Sequence, residues 1–159
     1  TTVPFGALDV ATPSIVGQRL SVSTNAAYGF SVTVQQTSEL INAAGSKIHS
    51  FNNAKDGTGS TTPVAWVAPA GFLDETQTYG HMGITSSDAD LNGGPDYTNE
   101  KYAGLAGTAP LAVMAYNGPS NGAVNGRGVA DVAYRIGITA LQQSGDYSTT
   151  LTYVCTPSY

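Results

Sequence analysis

The chain has 159 residues, 41% hydrophobic and only 11% charged, with a formal net charge of −5. Six scattered Lys and Arg cannot neutralise a run of phosphates, which argues against nucleic-acid binding. No apolar run approaches the ~20 residues of a membrane-spanning helix. An average domain carries about 25% charged residues; here Thr, Ser, Gly and Asn take their place, a composition that favours strands and turns and is wrong for disorder.

The length fits one domain, and the expected fold is all-β: an antiparallel Ig-like or jelly-roll-like β-sandwich with short helical turns in its connections. Residues 1–12 form an N-terminal strand or extension and residues 13–159 the sandwich domain. The chain starts without Met, as a processed or trimmed product does, and a removed signal peptide is one explanation. The low Lys content and Ser/Thr/Gly-rich composition suggest an extracellular, cell-surface location.

Thr2 to Val10 reads as a first strand interrupted by Pro4 and Gly6. Proline is tolerated mainly at a sheet edge or a strand start, so this segment is either an edge strand or an extension leaving the domain body. Arg19 to Thr24 and Tyr28 to Gln35 alternate with period two, with Leu20, Val22, Tyr28, Phe30, Val32 and Val34 on the apolar side; they read as a hairpin. Ser38 to Ala44 reads as a short helix, capped by Thr37 or Ser38 and stopped by Gly45. Lys47 to Phe51 and Val64 to Val67 are short strands, the latter carrying the only Trp, Trp66, as a core residue. Asn52 to Pro63 is a polar loop. Gln77 to Ile84 can hold a strand, Thr98 to Leu105 a helical turn, and Leu111 to Tyr116 a buried strand. Asn117 to Gly128 contains three Asn-Gly pairs and is a turn-rich connection.

The best-patterned stretch is the last. Val132, Tyr134, Ile136 and Ile138 share one face, as do Leu151, Tyr153 and Cys155. With Gln142 to Asp146 as a polar turn, the two strands read as a closing hairpin. Cys155, the single cysteine, falls in the inward register and reads as a small buried hydrophobe.

Asp88, Asp90, Asn92 and Asp96 place oxygen-bearing side chains in one Gly-containing loop, the kind of ligand set that calcium takes. The expected terminal acid is displaced and flanking helices are missing. A non-EF calcium loop thus stands against an ordinary acidic surface loop, and calcium is the one cofactor suggested. Gly118 to Gly122 formally matches G-x-S-x-G, but a nucleophile elbow needs a strand feeding a helix and a later His, whereas His49 and His81 both precede it. Neither His has a third ligand at zinc spacing. No catalytic residues are expected and the chain reads as a non-enzyme. Trp66, Tyr79, Tyr97 and Tyr102 in the irregular middle leave a carbohydrate- or surface-binding adhesin as the alternative.

Val3-Pro4-Phe5-Gly6, followed by Leu20 to Asn25 and Tyr28 to Val32, and the closing Gly145-Asp146-Tyr147 with Leu151-Thr152-Tyr153, resemble the opening and final strands of secreted bacterial surface β-sandwich proteins. The resemblance is to spore-coat-U-like and archaic chaperone–usher pilin subunits, and it spans roughly the first 35 and last 30 residues. The chain departs from those pilins in lacking their early cysteines. The resemblance implies a structural subunit of a pilus-like filament or coat whose partners are copies of itself. In such a filament an extended segment of one subunit completes the sheet of the next, a head-to-tail contact that does not close. Val3, Phe5, Leu8 and Val10 are the donor-strand candidates.

Overall fold

A computed structural model describes residues 2–10, 12–51, 60–73, 78–88, 91, 94–105 and 109–159. Among these residues there is no helix, and twelve strands run in chain order: β1 (Ser14–Ser21), β2 (Ser23–Thr24), β3 (Phe30–Gln36), β4 (Leu40–Ile41), β5 (Lys47–Ser50), β6 (Val64–Ala65), β7 (Gly80–Ser86), β8 (Lys101–Tyr102), β9 (Leu111–Tyr116), β10 (Ser120–Asn121), β11 (Val129–Ile138) and β12 (Leu151–Pro157). One sheet has the order β1-β11-β7-β5-β4 and the other β12-β3-β9; β10-β2 and β6-β8 are two-stranded ribbons. Every pairing between these strands is antiparallel except β5 with β7. This is the β-sandwich that the composition and alternation led us to expect.

The core lies between the two sheets. Alternate residues of β11 (Ala130, Val132, Tyr134, Ile136) meet Phe30, Val32 and Val34 of β3, with Ile48, Met82, Ile84, Leu111, Val113 and Met114 around them. Full burial of each large aliphatic side chain favours folding by roughly 1.5–3 kcal/mol, and a one-residue slip of β3 or β11 would turn its apolar set to water. An irregularity between Val32 and Thr33 in the β3–β9 pairing coincides with burial of two successive β9 residues, Val113 and Met114, as a bulge permits.

The two expected hairpins do not form. β11 pairs with β1 and β7, whereas β12 pairs with β3 in the opposite sheet. Alternation is the same whether two strands pair side by side or face each other across a core. The connection over residues 139–150 exceeds the 2–5 residues of a usual hairpin loop and crosses from one sheet to the other. β1 and β3 likewise lie in different sheets. Between them the chain turns at Gly29, whose φ of 85° suits glycine, and a Cβ there would lie 1.7 Å from the Tyr116 carbonyl oxygen. This turn ends the expected register early, so Tyr28 is 71% exposed instead of inward.

The expected helix over Ser38 to Ala44 is replaced by the β4–β5 hairpin. Asn42 dictates this locally: its Oδ1 accepts from the backbone N–H groups of Ala44 and Ser46, a side-chain turn that competes with helix, and Gly45 takes a left-handed φ of 84°. The expected helical turn at Thr98 to Leu105 is instead a tight turn through Asn99 and Glu100, both at positive φ, leading into β8. Residues 2–10 are not a strand. Cys155 keeps the inward register opposite Val32 but is exposed, because it lies on the edge strand of its sheet.

Candidate functional site: a groove between two sheet edges

β1 and β12 are the edge strands of their sheets on the same side of the sandwich, and among the described residues neither has a strand on its outer edge. Their inward side chains are accordingly half-buried: Val16, Gln18 and Leu20 on β1, with Val22 just beyond it, and Leu151 and Tyr153 on β12. The result is a cleft of about 1340 Å3. Leu40, Ile48, Met82, Tyr134 and Ile136 lie at its base, and residues 2–8 and 140–150 run along it.

The floor of the cleft is apolar with one polar crossing point, whereas its rim carries Gln18, Arg19, Gln142, Gln143 and the polar run Ser144 to Thr150. The hydroxyls of Tyr134 (β11) and Tyr153 (β12) hydrogen bond across the sandwich, and Tyr153 also hydrogen bonds to the side chain of Gln18 on β1. Burial pushes both phenols above the ordinary tyrosine range; for Tyr134 the neighbouring Tyr153 adds to this, whereas for Tyr153 its hydrogen bonds pull the other way. The pair stays neutral over any physiological pH and ties edge strand β12 to β11, and through Gln18 to edge strand β1. A polar contact at this depth has directional requirements that apolar packing lacks.

Of the donor-strand candidates, Val3, Phe5 and Leu8 are half-buried and pack on the core, whereas Val10 is 56% exposed. The structure thus brings all four to the groove, three of them packed on the core, as irregular chain without a ladder.

Of the calcium candidates, Asp90 and Asn92 lie outside the described residues. Asp88 is buried, and its Oδ2 accepts the backbone N–H of Ala115 on β9 at 2.8 Å. Asp96 stands at the surface, where Lys101 and the backbone and hydroxyl of Thr98 hold its carboxyl well below the usual range. Among the described residues no three His, Cys, Asp or Glu groups gather as a metal set would. Ser120 of the G-x-S-x-G match sits on β10, where its hydroxyl donates to the Arg127 carbonyl and accepts from the Gly122 N–H, as a turn residue does.

A second cluster, not foreseen as such, covers the outer face of the five-stranded sheet. Trp66 stacks on Phe51 with ring centroids 4.7 Å apart. His81 and Tyr102 meet Trp66 edge-on at 4.7 and 5.4 Å, and the Arg135 guanidinium lies 4.6 Å from the Trp66 ring centroid. The indole has room because β7 and β11 carry glycine beneath it: a Cβ on Gly83 or Gly137 would lie 3.2 or 3.1 Å from its ring. Those two mid-strand glycines were the available sequence signal, since glycine inside a strand marks close approach of another group. His81 and His49 are directly paired across β5 and β7. Trp66 is therefore covered by this outer layer and does not belong to the core between the sheets. Trp66, Tyr79, Tyr97 and Tyr102 are all buried or half-buried.

No protein-family model, no curated protein and no solved structure matches this chain.

Proposed function

We propose that this protein is a structural subunit of an extracellular filament or coat, in which residues 2–10 of one copy fill the groove between β1 and β12 of the next. The observation that carries this reading is the groove itself. Two edge strands of eight and seven residues border a cleft with an apolar floor, and the N-terminal chain that runs along it is irregular and not a strand. An exposed edge beside an apolar cleft is what strand addition uses: backbone hydrogen bonds supply affinity, and alternate side chains in the cleft supply register. Donor and acceptor surfaces are different parts of the molecule, so repetition is head-to-tail and gives an open fibre. No catalytic residue and no bound cofactor enters this reading. The adhesin alternative draws on aromatic rings able to stack on sugars, and the four rings of the middle region that motivated it are engaged within the fold; the groove therefore favours assembly over glycan binding.

Negative-stain microscopy of the full chain, alongside a variant lacking residues 2–10, tests the proposal. The full chain should form fibres, and the shortened chain should remain monomeric while keeping native Trp66 fluorescence. Fibres from the shortened chain would refute donation by this segment.

A further inference from the structure

Resting on that reading, we infer that residues 2–10 also act as a plug in the subunit's own groove, and that Gly6 is the switch between the plugged state and a strand able to enter another subunit. The sequence positions make the two states incompatible. In an extended strand Val3 and Phe5 face one way while Leu8 and Val10 face the other, because side chains alternate. In the structure Val3, Phe5 and Leu8 all pack on the core. Gly6 makes this possible: its φ is 68°, and this left-handed residue between Phe5 and Leu8 resets the phase of the chain. Three apolar side chains thereby enter the groove at the expense of strand geometry, so the segment covers apolar surface and leaves the edges of β1 and β12 without a ladder partner from it.

Straightening the segment to donate it elsewhere removes Leu8 from its own core and returns Gly6 to an extended φ. The groove is thus partly covered in the free subunit, which hinders indiscriminate pairing along the exposed edges, and it opens fully to a second copy when the segment leaves. A Cβ added at Gly6 meets nothing within 4 Å. Gly6→Ala therefore acts only on the backbone: it disfavours the left-handed plug by about 5- to 30-fold and leaves the extended form unhindered.

The test uses a fluorescently labelled peptide with the sequence of residues 2–10, added to three full-length chains: wild type, Gly6→Ala, and a chain with Val3→Ser, Phe5→Ser and Leu8→Ser. The peptide should bind Gly6→Ala about 5- to 30-fold more tightly than wild type, and the triple variant more tightly still. Equal binding to wild type and the triple variant would overturn the plug while leaving groove donation standing. Weaker binding to Gly6→Ala than to wild type would overturn the switch. Absence of binding to every chain, the triple variant retaining native Trp66 fluorescence, would overturn both the plug and the filament reading. If the triple variant fails to fold, the Gly6→Ala comparison decides alone: unchanged or weaker binding refutes the inference.

Discussion

His81 offers the most quantitative check on the packing described above. Its imidazole is only 5% exposed, with Phe51 and Trp66 edge-on to it. Burial pulls its pKa down from 6.5 to about 4; a hydrogen bond to the Val67 backbone works the other way, and the nearby Arg135 charge assists the lowering. Between these two values the unfolded chain binds a proton that the folded chain refuses, so unfolding is favoured as pH falls and stability rises with pH through this window. Each pKa unit corresponds to about 1.4 kcal/mol, so acidification from pH 7 to pH 4 should remove roughly 3 kcal/mol through this one side chain. His81→Gln keeps a polar group of similar size without a titrating charge. Urea unfolding followed by the fluorescence of the only Trp, which touches the site, measures both chains at half-unit pH steps. The variant starts less stable at pH 7, because the bond to Val67 is altered, but its stability should fall about 3 kcal/mol less than that of wild type by pH 4. Every carboxylate remains in both chains and cancels to first order in the difference. A stability difference between the two chains that does not change from pH 7 to pH 4 would refute the assignment of His81 as a buried neutral group.

Gly83→Ala should destabilise the fold by about 1–3 kcal/mol, since the new methyl would lie 3.1 Å from Cβ of both Phe51 and Tyr102; loss of native Trp66 fluorescence at a lower urea midpoint is the readout. Tyr153→Phe removes the hydroxyl that partners Tyr134 and should cost about 1–3 kcal/mol if the remaining phenol is left buried and unpaired, measured by the same unfolding curves. Asp88→Ala leaves the Ala115 N–H without its acceptor and should cost a comparable 1–3 kcal/mol; addition of calcium or a chelator to the wild-type protein separates this backbone role from metal binding, which would raise the melting temperature with calcium. Below pH 4.5, Glu39 adds a further acid-sensitive term. Burial raises its pKa, but the His49 and Ser50 hydrogen bonds and the neighbouring His49 and Lys47 charges outweigh that and lower it overall. Its stabilisation is present above 4.5 and lost as pH falls through the folded value, so Glu39→Gln should flatten the most acidic limb of the stability curve.

Residue alternation by itself determined much of this protein. The inward sets of β3, β11 and β12 follow directly from a period of two, because a half-buried strand must place every second side chain in the core; the strand Leu111–Tyr116 was legible only as an apolar run, and its bulge buries two successive residues. Composition disfavoured helices for the same reason that it favoured turns, Thr, Gly and Asn suiting pleated and left-handed backbone, yet it left room for the short helices expected at Ser38 to Ala44 and Thr98 to Leu105. Tertiary structure alone decided which strands pair. β11 and β12 alternate identically whether adjacent or face to face, so only the long 139–150 crossing reveals that they belong to opposite sheets. The groove exists because of that crossing: it leaves β12 at one edge and β1 at the other, with Tyr134 and Tyr153 meeting between them. Local competition also escaped pattern reading at Asn42, whose side chain satisfies two backbone donors and turns an apparent helix into a hairpin. The outer aromatic layer was written in the mid-strand glycines, but a glycine states only that something approaches closely. That Trp66 fills the space, stacked on Phe51 and capped by Arg135, depends on a loop whose path no periodicity encodes.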